Sequence, residues 1–205
     1  MQNLTKSNTN KSIPNISSPT PAIFFDRDGV VNIDDEYIYK IDDFVYVNGF
    51  LELFKECKIK GYLLFVITNQ SGIGRGYYTL SDFLKLSDFM QEDLMKKFSF
   101  CFDKIYFCAH KPQENCTCRK PKAGMIEQAS SEFNIDLASS YIIGDKESDI
   151  EAGINAKIGT KILFSKVAFK KLSKENSKYE DNKISKADFI IDNLYKANSI
   201  IKVLN

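Results

Sequence analysis

Two aspartates lie two positions apart in the segment FFDRDG, residues 24–29. If the chain stays extended, the side chains of Asp26 and Asp28 share a face, and if it turns at Gly29, one can point at a substrate beside the other. A carboxylate is a competent nucleophile toward phosphorus, and a neighbouring carboxylic acid can protonate the departing oxygen. The pair is therefore sufficient for a two-step phosphoryl transfer.

Carboxylates alone would repel a phosphate dianion, so this chemistry requires a cation between them. Mg²⁺, which prefers carboxylate and phosphate oxygens, is the expected ion. The segment GDKESD, residues 144–149, supplies further acids at the start of a predicted helix. Asp145 could complete the metal shell, whereas Asp149 and especially Glu147 could simply cap the helix.

Two further segments could bind phosphate. Residues 67–76, ITNQSGIGRG, end a predicted strand in the hydroxyl, amide and glycine groups of a phosphate cradle, although glycine-rich turns are common without one. Residues 118–122, CRKPK, bring cations that could neutralise a transferring phosphoryl group. Only Arg27, Arg75 and Arg119 are arginines among the 28 basic residues, which either reflects chance or indicates a need for the forked guanidinium.

A Cys-x-His-x5-Cys-x-Cys pattern is formed by Cys108, His110, Cys116 and Cys118. Its spacing and ligand types match a closed tetrahedral Zn²⁺ site, and ordinary packing of small core residues is the disfavoured alternative. Because the protein would fill all four positions, we expect the zinc to organise a loop, residues 108–118, rather than to catalyse. Cys57 and Cys101 are expected to be buried as small hydrophobic residues.

The elements that position these residues alternate between strands and helices. Short apolar runs predict buried strands at 22–25, 63–68, 104–108, 141–143, 161–164 and 189–191. Helical spacing predicts helices at 49–60, 80–98, 123–133, 147–156 and 193–203, the second of them capped by Thr79. This alternation predicts an α/β fold with a doubly wound, mostly parallel sheet flanked by helices. Such sheets bind ligands at the carboxyl ends of their strands, which is where the motifs lie.

Length and composition predict one domain, since the 205 residues are 43% apolar and 27% charged. Residues 1–20 are rich in Ser, Asn, Thr and Lys, and we expect them to be either a disordered leader or the result of a misplaced start codon. A single domain is expected at 21–205. Residues 170–186 are expected to be an exposed charged connection.

The net charge of +1 offers no broad basic field for a nucleic-acid backbone. No apolar run approaches the roughly 18 residues of a membrane span, and the polar start lacks the apolar region of a secretory signal. We therefore expect a cytoplasmic protein, a monomer, that binds a small molecule and neither nucleic acid nor membrane.

The set Asp26-x-Asp28-Gly29, Thr68, Lys120 and Gly144-Asp145-x3-Asp149 resembles the four motifs of the haloacid dehalogenase superfamily of phosphatases. The strings FFDRDGVVN, ITNQSGIGRGYYT, CRKPK and IGDKESD, together with the Cys/His loop, are similar to those of the D-glycero-D-manno-heptose-1,7-bisphosphate 7-phosphatase family. The resemblance spans residues 22 to about 164 and implies a Rossmann-like haloacid dehalogenase fold. About forty residues separate Asp28 from Thr68 and about fifty separate Thr68 from Lys120, which leaves no room for a cap domain.

The resemblance implies a role for each matching residue. Asp26 would be the nucleophile that forms an aspartyl-phosphate, and Asp28 the acid that protonates the sugar oxygen and then activates water. Mg²⁺ would be held by Asp26, the backbone carbonyl of Asp28 and Asp145, while Thr68 and Lys120 would steady the phosphoryl oxygens. Substrate contacts are implied for Asp34, Tyr37, Asn69, Gln70, Ser71, Arg119 and Lys146. The implied reaction removes the 7-phosphate of the heptose bisphosphate during the synthesis of nucleotide-activated heptose for lipopolysaccharide or another surface glycan.

Three other functions stay open on the sequence. Histidinol-phosphate phosphatases carry a similar zinc loop and CRKP string, although segments 34–44 and 72–79 look like the heptose family. Receiver-type signalling domains also carry acids after the first strand, a Thr and a Lys, but have no need of an acid at the position of Asp28. A zinc-dependent enzyme acting on nucleic-acid ends is disfavoured by the neutral charge balance. The motifs also leave open which anomer of the heptose would be used.

Overall fold

The computed structural model describes residues 18–35, 37–165 and 185–204. Most of the predicted leader, and residues 170–184 of the predicted charged connection, lie outside the described residues. Thr20 already belongs to the folded domain, one residue before the predicted start, because it forms a parallel bridge with Ile135. The backbone N–H of Thr20 also donates to the carbonyl of Asn134 at 3.1 Å.

The described residues form six strands in one parallel sheet. The strands are β1 (Ala22–Phe25), β2 (Leu63–Asn69), β3 (Lys104–Cys108), β4 (Tyr141–Gly144), β5 (Thr160–Phe164) and β6 (Phe189–Ile191). The predicted strands are confirmed to within one residue at each end, and the predicted α/β fold with a doubly wound sheet is confirmed. The strand order is β3-β2-β1-β4-β5-β6. Receiver-type domains have the order 2-1-3-4-5 instead, so the signalling alternative is wrong.

The helices of the described residues are α1 (Phe50–Ile59), α2 (Ser71–Arg75), α3 (Leu80–Phe98), α4 (Gly124–Phe133), α5 (Glu147–Asn155) and α6 (Tyr195–Ile200). Thr79 caps α3 as predicted, because its hydroxyl accepts from the backbone N–H of Asp82 while the Asp82 carboxylate accepts in return. The prediction missed α2, since its two glycines are typical of a loop.

The last helix is shorter than predicted, and contacts with Lys60, the residue that follows α1, explain where it ends. The chain becomes extended at Ile201, which lets the backbone N–H of Leu204 donate to the carbonyl of Lys60. The ammonium of Lys60 in turn donates to the carbonyls of Asn198 and Ile201, at 2.6 and 2.8 Å. These carbonyls lie in the last turn of α6 and just beyond it, so a lysine from another element takes the place of the further helical turn that was predicted.

Buried side chains cover both faces of the sheet. Along β1, Ile23 and Phe25 belong to one cluster and Ala22 and Phe24 to the other, as alternation along a strand requires. All four are fully buried. Helices pack on both faces, which leaves the carboxyl ends of the strands as the open edge. Within the described residues, no helix is both long and apolar enough to cross a membrane.

The chain order of the strands reverses between β1 and β4, which lie side by side. Connections leaving such a point run to opposite sides and open a crevice above the strand ends. Asp26 follows β1 directly, Asp145 follows β4, and Gln70 follows β2. The topology therefore brings residues from three distant segments to one edge.

Candidate active site

A cavity of about 370 Å³ lies at the carboxyl ends of β1, β2 and β4. Its lining includes every residue that the sequence predicted as catalytic or substrate-binding. It also includes residues that the prediction left out of the site, namely Tyr78, Ser148 and Asp149. Arg75 is exposed and lies outside this lining, whereas Arg119 is part of it.

A buried lysine joins two aspartates on the floor of the cavity. The ammonium of Lys120 lies 2.7 Å from Asp26 Oδ1 and 2.7 Å from Asp149 Oδ1, and it donates to the carbonyl of Ile67 at 2.8 Å. All three charged residues are at most 6% exposed. Burial alone would lower the pKa of Lys120, but the carboxylates of Asp149 and Asp26 raise it, so the ammonium keeps its proton.

Burial and the neighbouring Asp149 raise the pKa of Asp26 well above its usual value, and Lys120 counteracts part of that rise. Three acidic groups therefore share one buried cation, since Asp145 adds to the same repulsion. Such a site attracts further positive charge.

Asp149 is the main residue of this floor that sequence reasoning left unassigned. Its Oδ2 accepts from the backbone N–H of Lys146 at 3.0 Å and so caps α5, while its Oδ1 faces Lys120. The expected capping group, Glu147, forms no such bond in the described structure, so Asp149 does the capping. The side chain of the third residue of a helix can reach back to the backbone N–H of the N-cap residue, and this is the signal that could have identified Asp149.

Asp28 is held by donors on both of its oxygens. Oδ1 accepts from Arg27 Nε at 3.0 Å, from Arg27 Nη2 at 2.8 Å and from Asn32 Nδ2 at 3.1 Å. Oδ2 accepts from Gln70 Nε2 at 2.8 Å. Arg27 is 2% exposed, and its guanidinium lies 5.6 Å from the ring centre of Phe83. The scarce arginine at this position therefore provides a buried fork, which a lysine could not replace.

Two amides that the sequence predicted as substrate contacts bind the protein itself. Asn69 Nδ2 donates to the carbonyl of Lys120 at 3.1 Å, and Asn69 Oδ1 accepts from the Lys120 backbone N–H at 3.0 Å. Gln70 Nε2 divides its two donors between Asp28 Oδ2 and Thr68 Oγ1. Both side chains line the cavity, but their hydrogen bonds go to catalytic candidates.

Cations and an aromatic pair surround the cavity mouth. Lys146 is 56% exposed and lies 3.1 Å from Asp34 across the opening. Tyr37 meets the ring of Tyr77 edge to face, with ring centres 4.8 Å apart. Arg119 donates weakly to the carbonyl of His110, at 3.5 Å. Lys146 and Arg119 therefore bring positive charge to the cavity lining, although each already has a partner in the protein.

One group of carboxylates can hold a hard cation. Oxygens of Asp26, Asp145 and Asp149 lie within 4.8 Å of one another. Asp145 Oδ1 is buried without a hydrogen-bond partner in the described structure, and burial above all raises the pKa of this carboxyl to about 6. An unpartnered buried oxygen beside two further carboxylates fits Mg²⁺, whose ligands are oxygens.

Gly29 explains how Asp145 comes so close to the first strand. Its φ of +95° is one that side chains rarely adopt, and a Cβ there would lie 2.3 Å from Asp145 Oδ2. Only glycine permits both the turn after Asp28 and the approach of Asp145.

The second group is the predicted Cys/His set, whose ligand atoms lie within 4.8 Å of one another. Cys108 Sγ lies 3.1 Å from Cys118 Sγ and 3.5 Å from Cys116 Sγ, and His110 Nδ1 lies 3.3 Å from Cys118 Sγ. Burial alone would raise the pKa of Cys116, but the backbone N–H of Arg119 and the neighbouring thiols lower it to about 7. Four convergent nitrogen and sulfur atoms fit a tetrahedral metal ion such as Zn²⁺.

The fold and this cavity define a hydrolase of the haloacid dehalogenase type, and a family model described as HAD-hydrolase-like matches residues 117–197. A D-glycero-beta-D-manno-heptose-1,7-bisphosphate 7-phosphatase of Helicobacter pylori J99 is 53% identical over 144 residues, which are 70% of this chain and 83% of that one. The alpha-anomer phosphatase of Campylobacter jejuni NCTC 11168 is 54% identical over 144 residues, 70% and 82% of the two chains. The chain belongs to the D-glycero-D-manno-heptose-1,7-bisphosphate 7-phosphatase family, and it is a phosphomonoester hydrolase.

Solved structures agree on the fold. A heptose bisphosphate phosphatase of B. bronchiseptica, solved with magnesium and phosphate, matches with a TM-score of 0.73 at 24% identity and covers 88% of this chain and 97% of that chain. A HAD-like phosphatase of Mesorhizobium loti matches with a TM-score of 0.72 at 27% identity, over 90% and 87%.

Proposed function

We propose that this protein removes the 7-phosphate of D-glycero-D-manno-heptose 1,7-bisphosphate through an aspartyl-phosphate on Asp26. The observation that carries the proposal is that Asp26 and Asp28 share one cavity, with the Lys120 ammonium 2.7 Å from Asp26. Relatives that are 53–54% identical bear the name of this activity. The product is expected to enter the synthesis of nucleotide-activated heptose for lipopolysaccharide or another surface glycan.

In the first step the carboxylate of Asp26 attacks phosphorus, and the bond between phosphorus and the sugar oxygen breaks. Asp28 gives its proton to that oxygen. Among the described residues, three donors occupy Asp28 Oδ1 and Gln70 alone binds Oδ2, so we assign the transferred proton to Oδ2. In the second step Asp28 Oδ2 takes a proton from water, the water oxygen bonds to phosphorus, and phosphate leaves Asp26.

Thr68 and Lys120 stabilise the transferring group. Because Thr68 Oγ1 accepts from Gln70, its own proton is available to a phosphoryl oxygen. Lys120 is charged and fixed by three partners, so it offers positive charge without reorganisation. Bound by Asp26, Asp145 and the backbone carbonyl of Asp28, Mg²⁺ would supply the charge that offsets the phosphate dianion.

The substrate's other phosphate needs cations of its own. Arg119 and Lys146 line the same cavity and are the proposed partners, and Ser71, Asp34 and Tyr37 line it with them. Histidinol phosphate, the second candidate, carries a cationic amine that these two side chains would repel.

The test is phosphate release with Mg²⁺ from each anomer of the heptose bisphosphate and from histidinol phosphate. We expect fast turnover of one bisphosphate anomer, with phosphorus NMR of the product showing that the 1-phosphate remains. The relatives named for the two anomers are 53% and 54% identical to this chain, so only the assay decides between the anomers. Turnover of histidinol phosphate alone would contradict the proposal.

We also propose that Cys108, His110, Cys116 and Cys118 hold a structural Zn²⁺. We expect the purified protein to contain about one zinc per chain, and Cys116→Ser to lose most of it and to melt at a lower temperature, because three ligands bind zinc far more weakly than four. Elemental analysis and thermal melting measure both. Cys101→Ser is the matched control, since Cys101 is not among the four clustered residues, and equal zinc loss in both variants would refute the assignment.

A further inference from the structure

Tyr78, to which the sequence analysis gave no role of its own, begins a chain of hydrogen bonds that ends at Asp28. Its hydroxyl donates to Gln70 Oε1 at 2.5 Å. Gln70 Nε2 donates to Asp28 Oδ2 at 2.8 Å and to Thr68 Oγ1 at 2.7 Å. Gln70 is 2% exposed and Tyr78 is 6% exposed. Both N–H groups of the amide are therefore occupied by candidate catalytic groups.

The ring of Tyr78 is fixed between α2 and a second tyrosine. A Cβ at Gly72 would lie 2.2 Å from Tyr78 Cε1, so the ring fits only because residue 72 is glycine. The ring of Tyr78 also stacks on Tyr39, with ring centres 5.2 Å apart and planes 10° apart. Burial above all raises the pKa of Tyr78 to about 12, so its hydroxyl remains a donor at neutral pH.

The direction of these hydrogen bonds depends on which way the Gln70 amide faces. The oxygen and nitrogen of an amide are nearly equal in size, so hydrogen-bond partners alone select the orientation. If the amide were reversed, Oε1 would face Asp28 and Thr68. It would then accept the proton of the Thr68 hydroxyl and the proton that Asp28 carries as an acid, and both would be diverted from the substrate.

We propose that Tyr78 and Gln70 are positioning residues that set the direction of proton donation at Asp28 and Thr68. The Tyr78 hydroxyl holds Oε1 on its own side, so Nε2 faces both groups. Thr68 must then accept, and its proton stays directed at the phosphoryl oxygen. Asp28 Oδ2 likewise keeps its proton for the leaving oxygen. This inference rests on the proposed function, because it concerns the acid of that reaction.

The test compares leaving groups in Tyr78→Phe. An aliphatic sugar oxygen must be protonated as it leaves, whereas p-nitrophenolate leaves without an acid, and kcat/KM reports the step in which the leaving group departs. We expect the ratio of kcat/KM for the heptose bisphosphate over p-nitrophenyl phosphate to fall roughly tenfold, which is a part of the roughly 10²–10⁴-fold that general acid catalysis contributes. The loss should lie in kcat, with KM little changed.

Tyr39→Phe is the matched control, because it removes a hydroxyl from the ring stacked on Tyr78 and leaves the Gln70 bonds intact. Its ratio should equal that of the wild type. Gln70→Met should lower the ratio at least as much as Tyr78→Phe, and adding Tyr78→Phe to Gln70→Met should change nothing further, because Tyr78 acts through Gln70.

An unchanged ratio in Tyr78→Phe or in Gln70→Met, in protein that melts like the wild type, would overturn the inference. So would a further fall in the double variant. If the wild type hydrolyses neither heptose anomer, the substrate assignment fails. The ratio is then measured with glycerol 2-phosphate, another aliphatic ester, and still decides the role of Tyr78.

Discussion

Asp26→Asn should abolish phosphate release, with a loss on the order of 10⁴-fold or more, as removal of an attacking nucleophile does in other covalent enzymes. The amide has no charge to attack phosphorus. It is nearly the same size as the carboxylate, and its oxygen can still accept from Lys120, so the fold should survive. Phosphate release and thermal melting measure the two effects.

Asp28→Asn is the informative companion to Asp26→Asn. It keeps the nucleophile but loses the acid and base, so with p-nitrophenyl phosphate it should release one nitrophenolate per enzyme and then stall as the phosphoenzyme. Asp26→Asn should give neither the burst nor an acid-stable phosphorylated protein. A burst from Asp26→Asn, or no burst from Asp28→Asn, would contradict the assignment of Asp26 as the nucleophile.

Lys120→Met should cost stability as well as activity. It would leave Asp26 and Asp149, which are 6% and 1% exposed, without their shared cation. Removing one partner of a buried ion pair costs about 3–5 kcal/mol. Activity should become undetectable, since the phosphoryl group also loses a fixed positive charge. Urea unfolding without added Mg²⁺ measures the free energy of unfolding.

The stability lost in Lys120→Met should depend on pH in a definite direction. The pKa of Asp26 is raised by burial and by Asp149 even with Lys120 present, and removal of Lys120 raises it further. A carboxyl whose pKa in the folded state exceeds its unfolded value near 3.9 destabilises the fold when it is ionised. This loss of folding free energy is absent below the unfolded pKa and grows as the pH rises toward the folded pKa. The variant should therefore be closer to the wild type at pH 5 than at pH 7.5.

Lys97→Met is the control for both measurements. Lys97 pairs with Asp93 on the surface of α3 and is 44% exposed, so its loss should cost no more than about 0.5 kcal/mol and leave activity intact. Equal destabilisation by the two variants would show that the buried network contributes no more than a surface ion pair.

Local patterns in the chain were sufficient to predict most elements and most of the cavity. Each strand is a short apolar run, because strands of a parallel sheet are buried on both faces. The first and last residues of the strands could therefore be predicted from the sequence. The residues at the carboxyl ends of β1, β2 and β4 share one edge because parallel strands end on the same side. The Cys/His set could also be predicted from a local pattern, since its four members lie within 11 residues of the sequence.

Only the tertiary structure decided which groups meet and in which direction they donate. Asp149 meets Lys120, Tyr78 meets Gln70, and Asn69 binds the backbone of Lys120. Lys60 ends α6 earlier than its sequence pattern predicts. Each of these contacts depends on strand register and helix placement, because the side chains involved can point several ways until packing removes the alternatives. The amino-acid sequence therefore determined which reactive groups lie at the carboxyl ends of the strands, and tertiary packing determined how those groups are arranged.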